Sequence, residues 1–600
     1  MDKTGIIVVS LCVLLLGWWF VEQNKLAAQA QRYAQAHPVA AAPTANSNAV
    51  ATAQALTPTV PAIAFDTNVP EQLLLVTNAR ARYTFTSRGG GLKLVELLDY
   101  PATISPRWKK SQVVSDTLAS LNTRAPLPVL AVAGEASLTG DGNFTLTKTG
   151  DSIRAVKVLT SGLTLEKEFR IGSNYLIQAS VRLKNGTDKS MALPAQEIVI
   201  GMATPMDVDD NSTYVGTMWY DGTKETDLPG QYFNTNGSFF GLVSRTPNTV
   251  YHAGAGNVAW VAAHNQFFAL LAMPKDPAQQ IVVRPVTLPA FSNVEQGPNQ
   301  PLPHGMEAAL VYPAGTLTAN SFIERPILFY AGPKEYRILA DIGEEYQNHA
   351  DQVMNFGSGF ATFWGIGTFF AKLLLSAMNW LHDLTRLGYG AVIVLITVLI
   401  KLLFWPLTAK STRSMKRMQA LSPELNALKE KYKDDQKKLM EKQWELYKKH
   451  KVSPMSGCLP MLIQMPVFMG FFTMIRSAIE LRGAHFLWAS DLSKPDTLFM
   501  IPGINFPFNL LPLLMGGAML WQAHLTPPSP GMDPGQQKIM RYMPLMFLVF
   551  LYNYSAGLAL YWTVNNLLTI LQTKVTKNLK DPVVAPATNP VLTPLSKKKK

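Results

Sequence analysis

Six hundred residues, 48% of them apolar, with 54 Lys plus Arg against 41 Asp plus Glu, leave room for several domains and exclude a chain too polar to bury a core. The mean hydropathy of +0.08 averages two unlike parts: ordinary globular sequence to about residue 350, then apolar runs separated by charged loops from about residue 360. Two cysteines, Cys12 and Cys458, exclude a disulfide framework within a soluble domain, and the nine histidines show no metal-ligand spacing.

Thr4–Val21 is an apolar run that follows Lys3 and carries Trp18 and Trp19 near its far end, where an aromatic pair fits an interfacial anchor. A cleaved signal peptide is the rival, since Ala28-Gln29-Ala30 resembles a peptidase site, but the run is long for a signal segment. Residues 1–22 are therefore read as a retained transmembrane anchor. Leu11 stands where a lipobox requires a small residue, so Cys12 reads as a lipid-facing side chain. Residues 23–64, rich in Ala, Gln, Pro and Thr, hold too few large apolar side chains to form a core and read as a flexible tether.

Residues 65–350 alternate in the strand period at Arg82–Thr86, Phe144–Thr147, Leu163–Phe169 and Tyr175–Leu183. Gly89-Gly90-Gly91, Asp141-Gly142, Gly172-Ser173-Asn174 and Asn185-Gly186 punctuate them, which predicts an antiparallel β-sandwich of more than average size. Glu197, Asp207, Asp209 and Asp210 read as loop or strand-end acids, so a sugar-active enzyme on this sandwich lacks an acid/base pair. Residues 358–384 read as an amphipathic helix in the outer membrane interface, with Phe363, Ile366, Phe370, Leu373, Leu374 and Ala377 near helical spacing. The rival is a buried helix of the soluble domain.

Leu387–Leu407 is apolar except for Lys401. A charge inside a bilayer costs at least a few kcal/mol and usually faces water or a partner. Lys401 lies about 9–13 Å from the cytoplasmic end of its run at 1.5 Å per residue, deeper than a lysine fully snorkels. Two readings stand: partial snorkelling, and a wet groove open to the cytoplasm. Thr397, Gln464, Thr563, Asn565 and Asn566 favour the groove, although singly each is ordinary helix–helix glue. Pro406, Pro460, Pro466, Pro512 and Pro544 interrupt the apolar runs, and Met455, Met461, Met465, Met469 and Met474 make one of them adaptable.

Spans at about 387–408, 459–479, 508–525, 539–552 and 556–573, with the N-terminal anchor, make six. Even parity puts both termini on one side, and the basic stretches 409–451 and 574–600 make that side cytoplasmic. The β domain is then periplasmic and the chain a multi-pass protein of a bacterial inner membrane. Within 411–452, Ser422-Pro423-Glu424 starts a helix with Leu425, Leu428 and Tyr432 on one face. Lys433–Gln436 turns the chain, and Leu439 or Met440, Trp444 and Tyr447 form a second stripe. The result is a cytoplasmic helical hairpin, read either as a docking arm or as a solvated, orientation-setting loop. The tail 576–600 ends in Lys597, Lys598, Lys599 and Lys600, which suit anionic lipid or ribosomal RNA, or act as a topology signal.

No Walker A, Rossmann, HExxH or GxSxG pattern is present, so no enzyme chemistry, cofactor or metal is expected, and no DNA partner. A secondary transporter or channel is the alternative, weakened by a lone intramembrane lysine and no inverted repeat.

Four segments carry a resemblance: Lys401–Thr408 (KLLFWPLT), Val452–Phe468 (VSPMSGCLPMLIQMPVF), Asp533–Pro544 (DPGQQKIMRYMP) and Gly557–Asn566 (GLALYWTVNN). With Arg88–Gly91 before Leu97–Tyr100, they make the chain resemble the YidC membrane protein insertases in their long, Gram-negative form. The resemblance implies a five-helix insertase core with a hydrophilic groove, and a periplasmic β-super-sandwich. It places Lys401, often Arg in the family, as the groove's positive charge. It also places Thr397, Gln464 and Trp562 along the groove, where the reading of polar residues adds Asn565, and its cytoplasmic loop matches the helical hairpin that carries Leu425, Tyr432, Trp444 and Tyr447. Implied partners are nascent membrane proteins, the Sec translocon and its accessory subunits, the ribosome and anionic lipid.

Overall fold

A computed structural model describes residues 63, 65–66, 68–104, 117–206, 210, 212–233, 248–288, 304–357, 366–433, 435–450, 452, 459–504, 506–525 and 534–578. The expected N-terminal anchor, nearly all of the expected tether, Cys12, Cys458, Asp207, Asp209 and the four terminal lysines lie outside them.

The alternating segments become antiparallel strands. A nine-stranded sheet runs in the spatial order Glu225–Pro229, Gly216–Tyr220, Trp260–His264, Phe268–Pro274, Phe322–Pro333, Leu176–Asn185, Leu163–Ile171, Ser152–Val158 and Thr145–Thr149. A five-stranded sheet runs Tyr251–Ala253, Gln280–Thr287, His304–Tyr312, Gln196–Ala203 and Val132–Gly134. Its strand Gln196–Ala203 contacts Trp260–His264 and Phe268–Pro274 of the larger sheet, so the two sheets share a core. Trp260, Phe329, Tyr330, Phe268 and Leu271 are buried in the continuous hydrophobic cluster of this domain. A four-stranded meander, Leu73–Thr77, Ala81–Thr86, Gly91–Pro101 and Leu118–Leu121, adds Tyr83, Phe85 and Leu97 to the same core.

Period-two alternation sends Leu163, Leu165, Lys167 and Phe169 to the buried side of one strand. The inward lysine is accommodated by the glycine run. Gly89 and Gly90 adopt φ of +72° and +57°, and a Cβ on Gly91 would stand 2.1 Å from Val129 O. That turn presents Gly89 O to Lys167 Nζ at 2.6 Å, while the ammonium sits 4.5 Å from the Phe144 ring centroid. Burial pushes Lys167 down to about 7. Between that value and the ordinary lysine range the unfolded chain binds the extra proton, so stability rises with pH across that window. The β domain's unfolding temperature in the full chain should therefore climb between pH 7 and 10, and Lys167→Met should flatten the climb. A Lys167→Met profile parallel to wild type would refute this.

C-terminal to the sheets, the described residues form nine helices in the order α1 (Tyr336–Glu345), α2 (Ile366–Thr385), α3 (Tyr389–Ala420), α4 (Ser422–Lys431), α5 (Gln436–Lys449), α6 (Leu459–Ser477), α7 (Leu510–Leu525), α8 (Pro534–Leu551) and α9 (Ala556–Asn578). By length and apolarity α3 suffices to cross a membrane, and Leu510–Leu525 and Arg541–Leu551 are shorter apolar stretches. α3 runs through Pro406 and on to Ala420, so the hairpin begins later than residue 411. Before α7, Thr497–Ile501 and Phe506–Asn509 pair as a hairpin that the sequence reading missed. Tyr552 seals it, its Oη donating to Pro507 O at 2.8 Å.

α2 packs along α6 with Ala371, Leu374, Leu375, Met378 and Leu381 buried, a face displaced from the expected one: Phe370, Leu373 and Ala377 are only half-buried. A Cβ on Gly470 of α6 would meet Phe370 Cβ at 2.6 Å and its backbone carbonyl carbon at 2.9 Å. Overpacking costs about 1–3 kcal/mol, more than the few tenths that a valine gains over glycine in helix propensity. Gly470→Val should thus lower the unfolding temperature of the detergent-solubilised protein. An unchanged transition would show that α2 and α6 separate freely.

Side chains also join the sheets to the helices. Arg482 donates to Pro101 O at 2.8 Å and Ala102 O at 2.9 Å, and Gln266 Nε2 donates to Arg476 O at 2.9 Å.

Candidate functional site

On α3, Leu399, Leu402 and Leu403 are exposed, whereas Thr397 and Lys401, one helical turn apart, are buried. Lys401 is 8% exposed and turns toward α6 and α9. Its Nζ donates to Thr569 Oγ1 at 2.8 Å and to Gln464 Oε1 at 3.5 Å, so among the described residues both of its hydrogen-bond partners are neutral. Gln464 Nε2 donates in turn to Asn565 Oδ1. Lys401, Gln464, Asn565 and Thr569 form one connected polar layer across three helices. A charge so held has its hydration only partly replaced, which leaves it able to attract an incoming anionic group.

The other residues of the expected site fall differently. Thr397 Oγ1 donates to Ile393 O of its own helix at 2.7 Å, a satisfied back-bond rather than a link to Lys401. Trp562 stands half-buried beside the layer, its ring 4.6 Å from Phe468 and 5.7 Å from Phe547 between centroids. Asn566 Nδ2 is buried with no acceptor among the described residues. Thr563 Oγ1 bonds back to Ala559 O at 2.7 Å.

Thr569 and Gln572 were not foreseen. Gln572 Nε2 donates to Trp405 O at 3.3 Å and to Thr408 Oγ1, tying α9 to α3 beside Pro406. The signal was legible: Asn565, Thr569, Gln572 and Thr576 recur at steps of four, three and four, one stripe on a helix.

In the helical hairpin, Asp435 caps α5 by accepting from Lys438 N at 3.1 Å. Leu425 is fully buried in a small cluster with Leu421 and Val452, against which Leu446 and Tyr447 pack. Tyr432 is half-buried. Trp444 does not join the cluster as expected. It is 52% exposed, as Met440 is at 59%, because Leu446 and Tyr447 define the inward side of α5.

Comparison with known proteins covers both parts of the chain. The family model described as YidC periplasmic domain matches residues 74–375, and the one described as 60Kd inner membrane protein matches residues 380–582. A protein of Syntrophus aciditrophicus described as membrane protein insertase YidC is 30% identical over 531 residues, 86% of this chain and 86% of its own. The similarly described protein of Syntrophobacter fumaroxidans is 38% identical over 327 residues, 52% of this chain and 53% of its own. A crystal structure of an active YidC insertase with its first transmembrane domain resolved aligns over 85% of this chain and 94% of that one, at 18% identity and a TM-score of 0.31.

Proposed function

The chain belongs to the YidC membrane protein insertase family, inner-membrane proteins with a periplasmic domain, and from that premise we propose how its own residues perform insertion. The observation that carries the proposal is Lys401: a buried cation on a membrane-length helix whose two hydrogen-bond partners are a neutral hydroxyl and a neutral amide. Such a charge is balanced best by an anion that arrives from outside, and a substrate carboxylate is one.

The nascent segment reaches the cytoplasmic side, guided by the Lys-rich hairpin and the basic tail. Its short hydrophilic end enters a wet groove lined by Lys401, Gln464, Asn565 and Thr569, which shortens the apolar distance to be crossed. The membrane potential draws an acidic end outward, by about 2.3 kcal/mol per charge per 100 mV. The apolar segment passes Trp562, between Phe468 and Phe547, into lipid and gains about 25 cal/mol for each Å² removed from water. No nucleotide takes part. Both termini and the hairpin are cytoplasmic in this reading, the sheets periplasmic, and the Sec translocon, ribosome and anionic lipid are partners at those faces.

Proteoliposomes containing this protein alone, offered a small acidic-tailed substrate of one or two spans, should give a protease-protected fragment. Absence of protection above empty liposomes would overturn autonomous insertion.

A further inference from the structure

The strand pair ahead of α7 takes no part in the layer around Lys401, and its composition sets it apart. Residues 497–532 hold no Lys, Arg, Asp or Glu, and between 498 and 508 Asn505 is the single polar side chain. Polar contacts gather at the base of the hairpin. Thr497 Oγ1 donates to Asn509 Oδ1 at 2.7 Å, and Asn509 Nδ2 donates to Tyr552 O at 2.9 Å. Asp496, the last charge before the run, accepts from Leu511 N at 2.7 Å and from Trp488 Nε1 at 2.8 Å. Beyond that base the hairpin is apolar and open: Ile504 is 70% exposed, and Phe499 and Phe506 are exposed as well. Phe499 stacks on Phe508 at 4.8 Å and Phe506 on Tyr552 at 5.1 Å between centroids, which holds both rings at the surface.

Neighbouring elements fix where the hairpin stands. Lys494 Nζ lies 3.5 Å from Asp210 Oδ1 of the β domain, and Lys494 O accepts from Ala556 N, the first residue of α9, at 2.7 Å. The hairpin thus sits where the sheets meet the start of α7, the end of α8 and the start of α9. The 16 residues of α7 rise about 24 Å at 1.5 Å each. A bilayer's hydrocarbon core is roughly 30 Å thick, so α7 is several Å short of it. The hairpin joins α7 without a break at Asn509–Leu510 and carries the charge-free run onward. A short span needs thinner lipid or flanking residues that make up the difference, and here an apolar, aromatic flank is already built. Aromatic rings suit the membrane–water interface. A ribbon of two strands keeps two open edges, whose backbone groups require water or headgroups, so the interface is also as deep as it can lie.

We propose that this strand pair is a lipid anchor: Phe499, Ile504 and Phe506 lie among the headgroups and upper acyl chains of the leaflet on the sheet side and complete the crossing that α7 leaves short. The anchor is independent of the reading given to Lys401 and requires only that α7 lies across the membrane.

The test is spin-label accessibility in the full chain, reconstituted in bilayers of phosphatidylethanolamine and phosphatidylglycerol. In a Cys12→Ser, Cys458→Ser background a nitroxide is attached through Ile504→Cys. Leu514→Cys on α7 serves as the lipid reference, and Lys148→Cys on the edge strand of the large sheet as the water reference. All three side chains are exposed, so labelling displaces no buried packing. Collisions with oxygen, which concentrates in lipid, are compared with collisions with a water-soluble nickel chelate. The oxygen-to-nickel ratio at 504 should exceed that at 148 at least threefold, on the side of the ratio at 514. A ratio at 504 within threefold of that at 148 puts the hairpin in water and overturns the proposal. Few collisions with either probe would mean that protein covers the hairpin, a second copy or a bound substrate, and would overturn it too. A water-like ratio at 514 as well would remove the premise by taking α7 out of the membrane. Insertion activity does not enter the readout, so failure of the anchor and failure of the insertion mechanism remain distinguishable.

Discussion

Lys401→Ala should reduce insertion of acidic-tailed substrates at least tenfold while leaving the protein folded. The two effects separate because of how the layer is wired. Thr569 Oγ1 keeps its bond to Asn565 O at 2.7 Å, and Gln464 keeps its bond to Asn565, when the ammonium is removed. Removing a buried charge that lacks a countercharge also removes its desolvation cost, which offsets the cavity that alanine leaves, so detergent unfolding should change little. What is lost is attraction for the substrate's carboxylates. About 1.4 kcal/mol of that attraction is a tenfold change, a small demand on a charge in low dielectric. Lys401→Arg should retain function, since guanidinium keeps the charge and adds a planar fork for carboxylates. Lys401→Met should behave like the alanine variant with no cavity left behind. A substrate with a neutral tail should distinguish these variants from wild type far less. Equal protease protection of the acidic-tailed substrate by wild type and Lys401→Ala would sink the role of the charge.

The inward placement of Lys401 was legible because a lone lysine in an apolar run has few physical outlets, and α3 turns it toward α6 and α9 while its leucines face outward. Alternation in Leu163–Phe169 was equally plain, even through Lys167, because period two overrides the residue's own preference for solvent. Other features failed for identifiable reasons. The strand pair Thr497–Ile501 and Phe506–Asn509 hides in an aromatic, proline-bearing segment that blends into the apolar run of α7. Helical spacing puts Trp444 on a stripe with Leu439 or Met440 and Tyr447, yet Leu446 and Tyr447 own the inward side of α5. Thr569, taken alone, reads as a helical threonine bonded back to its own turn. It does so here, to Asn565 O, and accepts from Lys401 as well.

Trp260→Ala should be among the most destabilising single changes in the β domain, at about 3–5 kcal/mol for the loss of a fully buried aromatic. The ring is wholly buried, stacks on Tyr220 at 5.8 Å between centroids, and lies on the strand that faces the five-stranded sheet. Its Nε1 donates to Asn348 O at 2.8 Å, a buried contact that no shifted apolar neighbour can replace. Trp260→Phe separates the two contributions. Phenylalanine keeps most of the packing but leaves that carbonyl without its donor, which costs about 1–3 kcal/mol. Against a domain stability of about 5–15 kcal/mol, the alanine variant should lose much of its cooperative unfolding and the phenylalanine variant should shift by an intermediate amount. Denaturant unfolding followed by tryptophan fluorescence and circular dichroism measures both. Equal shifts for the two variants would assign the loss to the hydrogen bond rather than to packing, and no shift for either would remove Trp260 from the core that holds the sheets together.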